Sequence, residues 1–91
     1  MGRRPAARKI LGDTVVQAYV LIQSEVGKAG RVSEVVASLP GVLSAEDVTG
    51  PYDVIVKAEA DTMDNLGKLV VAKIQTVDGI TRTLTCPIVR L

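Results

Sequence analysis

The chain has 91 residues and a formal net charge of +1, with no histidine and one cysteine. That length bounds it to one domain, whose core is modest unless association buries more surface. A near-zero charge names no polyanionic partner. The missing histidine removes the commonest general base and metal ligand, and a lone Cys86 excludes an internal disulfide or a thiolate metal site.

Residues 1–13 read as a separate basic arm, disordered and solvated, ahead of a single domain over 14–91. Arg3, Arg4, Arg8 and Lys9 crowd its start, leaving 7 basic against 10 acidic residues from Ile10 onward, a net of −3. No apolar run approaches the ~18–20 residues that span a membrane, and no signal-like segment follows the basic start. The expectation is a soluble, cytoplasmic chain.

From Thr14 to Ile22 the sequence is apolar on both alternating faces. Val16, Ala18, Val20 and Ile22 point one way; Val15, Tyr19 and Leu21 point the other, with Gln17. A strand of this kind wants cover on both sides, and helices in so small a domain supply only one. The second face then calls for another subunit, with Val15, Tyr19 and Leu21 as the dimer interface.

Gly27 and Gly30 bracket the entry to a helix whose apolar stripe is Val32, Val35, Val36 and Leu39, and Pro40-Gly41 stops it. Val42 to Thr49 and Tyr52 to Ala60 then read as a hairpin about a tight Gly50-Pro51 turn. A second helix opens at Asp61 or Thr62 and carries Met63, Leu66, Val70, Ile74 and Val77, with Leu69 alongside. Ile80 to Val89 reads as the last strand. On it Ile80, Arg82, Leu84 and Ile88 share one face and Thr81, Thr83 and Thr85 the other. Pro87 marks an edge or an exit from the sheet.

Strand–helix–strand occurs twice, and Leu39-Pro40-Gly41-Val42 is echoed by Val77-Asp78-Gly79-Ile80. Two right-handed crossovers give an α+β, ferredoxin-like βαββαβ fold: a four-stranded antiparallel sheet with both helices on one face, pairing as a dimeric α/β sandwich.

Catalytic signatures are absent. No nucleophile–histidine arrangement is possible, no Gly-rich phosphate loop occurs, and Cys86 reads as a small buried thiol. Glu46, Asp47 and Asp53 form the nearest carboxylate cluster, which reads as surface acid near a turn rather than as a cation site. No metal or cofactor is expected, and no enzyme. Asp53 beside Gly50 and a threonine ladder would suit a small zwitterion: carboxylate for its ammonium, backbone N–H and hydroxyls for its carboxylate.

Val48-Thr49-Gly50-Pro51-Tyr52-Asp53-Val54, then a helix, then Val77-Asp78-Gly79-Ile80-Thr81-Arg82-Thr83-Leu84-Thr85 resembles the effector (RAM, ligand-binding) domain of the Lrp/AsnC family of transcriptional regulators. The resemblance covers about Val15 to Val89. It implies a homodimer formed through the sheets, assembly into tetramers or octamers, and an amino acid or related metabolite bound near the G-x-Y-D turn. By that resemblance Gly50, Tyr52 and Asp53 line the ligand site, and Thr81, Thr83 and Thr85 reach toward it. Family members typically carry a helix-turn-helix ahead of this domain, whereas only 13 residues precede Thr14. The expectation is a stand-alone effector domain without direct DNA binding, a transcription-linked sensor that co-assembles with full-length regulators. A structural adaptor that shares the fold but senses nothing is the alternative.

Overall fold

Val16, Val20 and Ile22, and again Val54, Ile55 and Val56, are β-branched residues suited to the extended segments they occupy. In the computed structural model, which describes residues 15–89 apart from the side chain of Leu69, the order is β1 (Val16–Ser24), α1 (Ala29–Ala37), β2 (Val42–Asp47), β3 (Val54–Ala60), α2 and β4 (Ile80–Pro87). Helix α2 runs over 63–74 in three continuous pieces: an α turn at Met63–Asn65, a π-helical stretch at Leu66–Val71 and an α turn at Ala72–Ile74. The basic arm and the last two residues lie outside the described part.

All strand pairs are antiparallel and the sheet order is β2-β3-β1-β4, as two split βαβ units require. Central β1 is hydrogen-bonded on both sides. Its Ala18, Val20 and Ile22 are fully buried beneath the helices with Val54, Val56 and Ala58 of β3. Val32 and Val36 of α1 and Leu66, Val70 and Ile74 of α2 close this core. The side chains are small, so many short contacts replace the few large ones that aromatic residues would make.

Thr62 caps α2, its side chain accepting from the Asn65 N–H at 3.0 Å, while Asp61 holds the Asn65 amide at 2.7 Å. Within the π stretch the Ala72 N–H donates to the Gly67 carbonyl, five residues back. Leu66, Val70 and Ile74, spaced by four, bury together on this helix. Met63, expected on the same stripe, is half-exposed at the first position of the helix.

The final strand corrects the expected facing. The β1–β4 register shifts between Gln23 and Ser24, and Ile80 pairs with Ser24. One extra residue turns Ile80 to the helix side, where it packs against the core. Thr81 lies at the bulge, its hydroxyl donating to the Gln23 carbonyl at 3.2 Å. Beyond it the alternation holds, with Thr83 opposite Ile22 and Thr85 opposite Val20, both on the helix side. The Ile88 N–H donates to the Gln17 carbonyl, so position 87 turns its missing N–H away from β1, where a proline costs the sheet nothing.

Among the described residues nothing packs over the second face of the sheet. Gln17, Tyr19, Leu21 and Gln23 of β1 share it with Ile55, Lys57 and Glu59 of β3, Ser44 and Glu46 of β2, and Arg82, Leu84 and Cys86 of β4. Tyr19 is 41% and Leu84 47% exposed, and Cys86, paired with Tyr19, is exposed rather than buried. Val15, just before β1, is half-buried.

Gly41 ties the two halves together. Its φ is +87°, and a Cβ there would stand 2.6 Å from Val70 Cγ2 and 3.1 Å from the Glu59 carbonyl oxygen. Its own carbonyl accepts the Glu59 N–H at 2.8 Å. Gly41→Ala is expected to cost about 2–4 kcal/mol, from left-handed backbone strain plus overpacking against Val70. Urea denaturation with an unchanged m-value is the measurement that checks it.

Candidate functional site

Three connections meet at one end of the sheet: β1 to α1, β2 to β3, and α2 to β4. The β2–β3 connection is wider than a tight turn, because β2 stops at Asp47 and β3 starts only at Val54. Gly50 sits in it at φ +137°, a conformation L side chains rarely adopt, with open space where a Cβ would be. Tyr52 is half-buried and Pro51 exposed.

Asp53 anchors this loop. Its N–H donates to the Ile22 carbonyl at 2.8 Å, and its own carbonyl accepts the Val48 N–H at 3.0 Å. Its Oδ2 accepts the Ser24 N–H at 2.8 Å and the Ser24 hydroxyl at 3.3 Å. One carboxylate oxygen is thus committed to the end of β1, at the bulge where the ladder to β4 is disturbed. The side chain of Gln23 bonds the Pro51 carbonyl at 2.9 Å. Ser24 and Gln23 are therefore part of the site's frame. They look like an unremarkable polar end to an apolar strand, and only the bulge gives them this work.

The proposed site residues are brought to the same end but not to one surface. Thr81 is exposed at the bulge, near Gln23. Thr83 lies beyond β1 from Val54, two strand spacings or about 10 Å away. Its hydroxyl faces the helix layer and accepts from the Gln75 side chain at 3.0 Å. Thr85 is two residues further from the loops on the same inner side. A shallow groove of about 340 Å³ runs along this edge, lined by Gln75, Ile80, Thr81, Arg82 and Thr83. Glu46 and Asp47 lie on opposite faces of β2 and Asp53 turns to Ser24, so these carboxylates do not converge.

A charge cluster joins the other two connections. Lys28 Nζ lies 3.2 Å from Glu25 and 3.7 Å from Asp78. The hydrogen bond to Glu25, then the charges of Glu25 and Asp78, raise the Lys28 pKa above its ordinary 10.5.

This arrangement belongs to a known class of regulatory ligand-binding domain. Residues 17–90 match the family model of the Lrp/AsnC ligand binding domain, and the chain belongs to that family. An uncharacterized HTH-type transcriptional regulator of Pyrococcus furiosus is 31% identical over 86 residues, 90% of this chain and 55% of that one. The chain thus spans about half the length of the curated relatives it matches. The solved structure of FFRP-DM1 superposes with a TM-score of 0.75 at 35% identity, over 81% of this chain and 99% of that one. Escherichia coli AsnC gives 0.80 at 26% identity, over all of this chain and 61% of its own. The fold expected from the sequence is therefore the one the family shares. Among the described residues no helix is long and apolar enough to cross a membrane.

Two outcomes follow from this geometry. Asp53→Ala, which strands the Ser24 N–H, is expected to lose about 1–3 kcal/mol, and Asp53→Asn, which keeps an acceptor, less than half of that, both read by chemical denaturation. Because the Lys28 pKa is raised on folding, its contribution is complete below 10.5 and is lost as pH climbs through the folded value. Thermal melts above pH 10.5 should fall more steeply for the wild type than for Lys28→Met.

Proposed function

We propose that this domain is a dimerising effector module that senses a small zwitterion, an amino acid in the simplest case, at the loop end of its sheet. The observation that carries the reading is Asp53. Its Oδ2 is spent on Ser24, while Oδ1 accepts no hydrogen bond from the described residues. A carboxylate held rigidly by one oxygen and open at the other suits an ammonium group.

Gly50 and Tyr52 flank it, the loop's backbone N–H groups serve the ligand's carboxylate, and Thr81 contributes a hydroxyl from β4, across the end of β1. Thr83 and Thr85 act from below by holding the edge of β4 against α2. A transcriptional regulator from Neisseria meningitidis, solved as a complex with L-Met, has the same fold at a TM-score of 0.72 and 19% identity, and its ligand is an amino acid. Dimerisation uses the bare sheet face, with Tyr19 and Leu21 at its centre and Val15 at its rim. Dimers then gather into tetramers or octamers. Its link to transcription runs through co-assembly with full-length regulators.

A thermal-shift screen against the twenty amino acids at millimolar concentration tests the sensor. A ligand at a hundred times its dissociation constant is expected to add about 2.7 kcal/mol of stability, a rise of several degrees in Tm. Asp53→Asn should unfold cooperatively and lose the rise. No rise with any amino acid would replace the sensor with an oligomerising adaptor.

A further inference from the structure

The second face of the sheet carries charge as well as apolar surface, and its two edge strands carry opposite signs. Glu46, Ile55, Leu21 and Leu84 form one row across all four strands. The next row is Ser44, Lys57, Tyr19 and Cys86, followed by Glu59 and Gln17; on the other side of the first lie Gln23 and Arg82. The β2 edge is therefore acidic, with Glu46 exposed, and the β4 edge is basic, with Arg82 exposed. Neither makes an ion pair among the described residues.

Aligned face-to-face packing of two copies admits two kinds of two-fold axis between the sheets. An axis across the strands lays each strand over its own copy, acidic edge on acidic edge and basic edge on basic edge. An axis along the strands lays β2 over the partner's β4 and β3 over the partner's β1. Ile55 then covers the partner's Leu21, and Lys57, already 5.9 Å from the Tyr19 ring centre of its own chain, meets the partner's Tyr19. Glu46 comes over the row of Leu84. The partner's Arg82 is two residues along, about 7 Å, within the combined reach of these two long side chains.

We infer that two copies pair about the axis along the strands, and that Glu46 of each copy meets Arg82 of the other at the two rims of the interface. This rests on the sheet-face dimer proposed above and adds which way round the copies sit and what selects it. Like-charge edges would oppose the other arrangement. Because the pair occurs twice by symmetry, it also offers a way to choose between a second copy of this chain and a related one.

Sedimentation equilibrium of the full chain tests it, with circular dichroism to confirm folding. Glu46→Arg and Arg82→Glu, both at exposed positions, should each weaken the homodimer by about tenfold or more. An equimolar mixture should form a mixed dimer close to wild-type affinity, since the Arg at 46 in one chain faces the Glu at 82 in the other. The chain carrying both substitutions should homodimerise again. Single variants that dimerise like the wild type, or a mixture no tighter than its components, would overturn the pairing. Leu84→Asp separates the two levels. If it leaves a dimer intact, the sheet-face dimer itself is wrong; if it breaks the dimer while the charges have no effect, only the pairing is. A wild type that stays monomeric overturns both.

Discussion

Two helices can cover only one face of a four-stranded sheet. The two faces of the sheet answer to that limit in opposite ways. On the covered side the packing is complete: Val20, Ile22, Val54 and Val56 meet Val32, Val36, Leu66 and Ile74 with almost no exposed surface. On the other side Leu21, Ile55 and Leu84 lie in one row among charges, held there by the same strands. Because β1 bonds to a neighbour on each side, its outward residues cannot turn in without breaking both ladders. An apolar row fixed in place on a small domain is a standing drive toward association.

The loop end obeys a different constraint. A bulge between Gln23 and Ser24 interrupts the β1–β4 ladder, leaving backbone groups that need partners. Asp53 supplies one from the loop that leads into β3 and Thr81 another from β4, so the bulge is stitched to both sides. The sensor proposed above uses the same residues. Under that proposal binding would act on the joint between three strands, and a ligand that pulls on Asp53 would also bear on how β1 ends and β4 begins.

Much of this was readable from residue order. Alternation in Val16 to Ile22 gave both faces of β1, Pro40-Gly41 marked the close of the first helix region, and Thr62 was a competent cap. These are local signals, set by residues within a turn of the feature. What resisted reading depends on parity or on distant partners. A single extra residue sends Ile80 inward and takes Thr81 out of line with Thr83, and no nearby residue announces it. Cys86 looked like a core thiol because a lone cysteine in a strand-like run is buried by default; only its pairing with Tyr19 puts it on the uncovered side. The π-helical stretch hides because Leu66, Val70 and Ile74 fit an ordinary helix almost as well. At the candidate site, the turn glycine and the acid stood out, while Ser24 and Gln23 carry no signal until the bulge is known.

Pro87 has a consequence for crowding in the cell. A sheet edge with free N–H groups invites a foreign strand to dock, and repeated docking is how fibrils grow. On β4 the outward N–H positions are 83, 85 and 87, the last of which has none to offer. An incoming strand would gain too few bonds at that end to hold. The proline thus permits stacking of sheet on sheet while discouraging indefinite growth edge to edge.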